Sequence, residues 1–217
     1  MPIEFQRSNT TAPQFENILD TTNIIPNIKA ADNIKAALLG CALINAYDLN
    51  DIKGEYSNMV FTRSLNTRAI DMRAIDLLMQ NIRDHGLKST DEDKCLHIFC
   101  REGDIVPGSL SDKWDIATLT PIRFSPETTR VQLANGSHRV HCMKIFKDSY
   151  NNRLSELQEV ATEWQNESDL DAVRKELADN VHLRLDTIKA QRDSMKYWGV
   201  KVYDLGMWYV LRALGGI

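Results

Sequence analysis

Arg130-Val131-Gln132-Leu133-Ala134-Asn135-Gly136-Ser137-His138-Arg139-Val140-His141-Cys142-Met143 is the stretch whose reading decides the fold. Val131–Ala134 has the apolar, β-branched start of a short strand, and Asn135-Gly136-Ser137 breaks it. From His138 to Lys147 the apolar residues Val140, Cys142 or Met143, and Phe146 recur at helical spacing. Strand, tight loop and helix therefore follow one another without a linker. The first N–H groups of such a helix have no partner within it and bind anions well. Gly136 leaves no side chain between an anion and the backbone. Ser137 adds a hydroxyl, and His138 and Arg139 add hydrogen bonds or charge from the rim. Gly136, Ser137, His138 and Arg139 are thus the candidate phosphate-binding residues. Asn-Gly is also the commonest signal for a two-residue hairpin turn, so a plain turn stays open beside this reading. The residues after Gly136 do not alternate as a returning strand would.

Working outward, Cys95–Cys100 reads as another strand and Leu119–Phe124 as a third, separated by the Gly/Pro/Ser-rich loop 103–113. Upstream, Asp71–His85 is an amphipathic helix with Ile70, Ala74, Leu77, Leu78 and Ile82 as its stripe and Gly86 as its C-terminal stop. Met59-Val60-Phe61 is a short apolar piece after the turn-rich 48–56. Further back, Ile34, Leu38, Cys41 and Asn45 step at helical spacing and predict a helix ending near Tyr47. Residues 1–25 form an irregular lead-in.

The last third changes character. Leu154, Leu157, Val160 or Ala161, and Trp164 mark one amphipathic helix. Ser168 opens a second, with Asp171 in capping-box position and a stripe running from Leu170 through Leu177, Val181, Leu185 and Ile188 to Met195. Val200–Leu205 is a candidate terminal strand. The division expected is a lead-in and helix over 1–57, an α/β core over 58–148 and a C-terminal helical segment over 149–217. The class is α+β: a small mixed sheet with flanking helices, plus C-terminal amphipathic helices.

Composition narrows the function classes. Of 217 residues, 43% are hydrophobic and 26% charged, the balance of a folded domain rather than a disordered chain. A formal net charge of −4 gives no basic footprint for nucleic acid. Arg174, Lys175, Arg184, Lys189 and Arg192 are interleaved with acids, which argues against a basic face. Cys41, Cys95, Cys100 and Cys142 are scattered in a chain that needs no staples, and read as reduced thiols of an intracellular protein, cytoplasmic or nuclear. No run is long and apolar enough for a membrane span.

The Gly-Ser-His-Arg turn at 136–139 resembles the Gly-x-x-Arg phosphate motif of the ParB/sulfiredoxin-like superfamily, whose ParB members carry this domain at their N-terminus. Asn66-Thr67-Arg68, followed by a helix ending Ile82-Arg83-Asp84-His85-Gly86-Leu87, is similar to the family's opening element. Pro121-Ile122 is similar to its Pro-Ile strand. The resemblance covers residues 58–148. It implies binding of ATP, ADP or CTP through Gly136, Ser137, His138 and Arg139; Mg²⁺ is a candidate companion of the nucleotide, and Arg68 either points back to the phosphates or makes a surface salt bridge. Sulfiredoxins carry a catalytic Cys where this chain has Ser137, so their reductase chemistry is not implied. The ParB Glu-Asn-x-x-Arg element has a poor counterpart in Asp179–Arg184, where Asp replaces Glu and the Arg falls one place late.

If the domain is an enzyme, phosphoryl transfer or nucleotide hydrolysis is the natural class, with His138 as proton shuttle and an acid to hold the cation. Glu102, at the end of a strand, is the favoured acid; Asp104, Asp71 and Asp76 are the others. The alternatives are a non-catalytic protein-interaction module with a degenerate phosphate loop, and a nucleic-acid-associated ParB-like protein. A homodimer through the C-terminal helices is a further candidate assembly. Cys95, His97 and Cys100 form C-x-H-x-x-C, but on a strand Cys100 faces away from the other two, and no metal site is expected.

Overall fold

The computed structural model describes residues 34–51, 53–63, 69–165, 172–207 and 209. Among them a five-stranded mixed sheet is flanked by helices. Its strands are β1 (Leu38–Asn45), β2 (Val60–Thr62), β3 (Leu96–Cys100), β4 (Arg130–Leu133) and β5 (Tyr197–Asp204). The spatial order is β1-β5-β3-β4-β2. β5 runs antiparallel to β1 and parallel to β3, while β4 runs antiparallel to β3 and parallel to β2. Residues 58–148 supply the three strands β2, β3 and β4; the sheet is completed by β1 from before them and β5 from after.

The helix expected to end near Tyr47 is instead largely strand β1, with residues 34–37 helical just before it. The physical reason is burial on both faces. Cys41, Ala42, Ile44 and Asn45 are all buried, so no alternation shows in the sequence, and an unbroken apolar run mimics a helix. The strand expected over 119–124 is also absent as such. Pro121 makes a bridge to Leu43 and Phe124 one to Ile105, with Ile122 fully buried between them. The proline has no N–H to give a ladder.

One face of the sheet builds the main core. Leu96, Ile98 and Cys100, Val131 and Leu133, Val200 and Val202, and Ala42 and Ile44 meet Val140 and Met143 of α2 (Ser137–Gln165). α1 (Met72–His85) packs on α2 through Ile75, Met79 and Cys142. Its buried stripe is Ile75, Met79 and Ile82, one position round from the expected one, and Leu77 faces solvent. Gly86 ends α1 as the sequence indicates, at φ 80° with its N–H donating to the Ile82 carbonyl at 2.9 Å.

The two helices expected over 138–147 and 154–164 are one. α2 runs unbroken for 29 residues, about 43 Å at 1.5 Å per residue. α3 (Ala172–Ser194) folds back along its distal half. Leu154, Ala161, Val181, Leu185 and Ile188 form a single seam between them, flanked by Tyr150, Leu157, Val160 and Trp164. That seam takes up Val181, Leu185 and Ile188 of the α3 stripe, whereas Leu177 is exposed and Met195 packs against the main core. The expected cap at Ser168 and Asp171, the lead-in 1–25 and Arg68 lie outside the described residues.

Both sheet edges are closed. At β1, Cys41 exchanges two backbone hydrogen bonds of 2.8 Å with Ser111, and Leu43 bonds Thr120 and Ile122. At β2, the Asn50 side chain takes the place of a neighbouring strand. Its Oδ1 accepts from Phe61 N–H at 2.8 Å and its Nδ2 donates to the Phe61 carbonyl at 3.1 Å. Asn50 sits at φ 60°, a conformation Asn tolerates better than most residues. Asn50→Ala is expected to lose about 2 kcal/mol in urea unfolding, from two hydrogen bonds and backbone strain together. Asn50→Gly, which loses the bonds but not the tolerance, should lose roughly 1 kcal/mol less. Equal losses would place the whole effect in the amide.

Candidate functional site

The end of the sheet where β3 begins and β4 finishes carries the candidate loop. Ala134 N–H donates to the His97 carbonyl at 2.9 Å, and the Asn135 side chain extends the ladder by accepting from His97 N–H at 2.7 Å. Gly136 follows at φ 83°, and α2 starts at Ser137. The hairpin alternative is thereby removed: no strand returns, and Asn-Gly here joins a strand to a helix. Asn135 was legible only as a turn residue, because its bond to His97 spans 38 positions.

Gly136 has a reason the sequence did not disclose. A Cβ built there would run into the Leu96 side chain, which is itself fully buried. The missing side chain thus serves strand–helix packing, and an anion above the loop is not needed to explain it. Ser137 is buried, so its hydroxyl does not stand on an open rim.

His138 reaches across to the start of α1, where its Nε2 accepts from Asp71 N–H at 3.0 Å. Asp71 in turn caps α1, its Oδ1 accepting from Arg73 N–H at 3.0 Å. Two helix N-termini are therefore drawn together at one end of the sheet. Arg139 is half-buried, and burial holds its guanidinium below its ordinary pKa, opposed by Cys95 and Asp93. Its Nη1 donates to the Cys95 carbonyl at 3.4 Å. A guanidinium has five N–H donors, so most of Arg139's capacity is unspent there.

The sequence candidates are not all brought together. Glu102 opens a short 3₁₀ turn beyond the far end of β3 and is exposed. β3 alone puts about 13 Å between it and the loop, too far to share one cation with bound phosphate. Asp104 lies in the same turn, accepting from Arg101 N–H at 2.9 Å. Asp76 sits beside Cys142 on the α1–α2 contact, where it helps to raise that thiol. Asp71, the remaining acid, is the one beside the loop.

Among the described residues no group of three or more His, Cys, Asp or Glu could hold an ion. Burial raises the Cys95 thiol to about 11 and Cys100 to about 12, so neither is a thiolate near neutral pH. His97 is pushed down to about 4 by burial and then by the cations Lys201 and Arg139. On the same face of the sheet its ring packs against Tyr203, with centroids 5.4 Å apart. No helix among the described residues is long and apolar enough to cross a membrane.

Compared with known proteins, the chain matches no family model, no curated protein and no solved structure.

Proposed function

We propose that this domain binds a nucleotide, ATP, ADP or CTP with Mg²⁺, by its phosphates at the first turn of α2, as the ParB/sulfiredoxin resemblance implies. The observation that carries the reading is Arg139. A half-buried guanidinium with one long hydrogen bond at a helix N-terminus is a strong anion acceptor, because desolvation strengthens its pairing with phosphate. The start of α1, held alongside through His138 and Asp71, adds a second helix dipole of the same sign. In this reading Asp71, rather than Glu102, is the acid that would meet the cation. Mg²⁺ fits a site of one carboxylate, phosphate oxygens and water. If turnover occurs, it is phosphoryl transfer or nucleotide hydrolysis with charge stabilised by Arg139 and backbone N–H groups.

A second reading, a non-catalytic interaction module, is favoured by the intramolecular bonds that His138 and Arg139 already make. Calorimetric titration of ATP, ADP and CTP with Mg²⁺ separates the two. Binding to the wild type that weakens at least tenfold, about 1.4 kcal/mol, in Arg139→Ala supports the nucleotide site. Circular dichroism of that variant establishes that it is folded. No heat from folded wild type would leave the loop as a structural joint and favour the interaction module.

A further inference from the structure

We draw no further inference here: the strongest candidate, the groove of about 430 Å³ between the C-terminal ends of α1 and α3 and the middle of α2, is lined by Ile82, Leu87, Phe146, Tyr150 and Met195, and nothing in the structure shows what covers it.

Discussion

Gly136→Ala is expected to destabilise the protein by about 3 kcal/mol or more, among the largest losses any single methyl could cause here. Two costs add. The backbone at φ 83° is one that residues with a Cβ adopt at about 1–2 kcal/mol. The new methyl also meets the Leu96 side chain, which is fully buried against the β3–β5 core and has no room to retreat. Urea unfolding of the variant measures the sum. Leu96→Ala in the same background should recover part of the packing cost, though it opens a cavity of its own. A Gly136→Ala protein as stable as wild type would mean that α2 can start elsewhere, and the loop geometry described above would be wrong.

The second large effect is on acid stability. His97 titrates near 4 when folded against an ordinary 6.5, so the unfolded chain takes up the proton first. A depressed histidine contributes stability that is complete above about 6.5 and is lost as pH falls towards 4. Integrated over that window the loss is roughly 3 kcal/mol. Urea unfolding at pH 7 and at pH 4.5 should show it, and His97→Phe, which keeps a ring beside Tyr203 but cannot titrate, should lose roughly 2 kcal/mol less over the same interval. If both proteins lose stability equally, His97 is not the group that opposes protonation.

Much of the architecture was readable because it rests on local rules. Strand β4, the break at Asn135-Gly136, the start of α2, and α1 with its glycine stop each follow from a few adjacent residues. The misreadings share a different cause. β1 is buried on both faces, and residues 120–122 join its edge only by bonding to Leu43, far away in sequence. Several faces of α1 carry apolar residues, and only packing against α2 chooses among them, which leaves Leu77 in solvent.

The site divides along the same line. The loop and Arg139 could be found from spacing, since helix starts are local. The strand that points to Glu102 as the acid runs away from the loop, a fact of strand direction and not of composition. Asp71 comes to the loop through a bond spanning 67 positions, and Gly136 answers to Leu96 across the sheet. Such pairings are invisible in a single sequence.

The unbroken course of α2 makes the molecule a lever. Its short end is the loop and its long end is the tip of the helical arm, with the sheet as fulcrum. A rotation of about 5° at the first turn sweeps a rod of this length through about 4 Å at the far end. No hinge interrupts the rod to absorb that movement. A tilt of α2 at the loop would therefore be felt along its whole seam with α3.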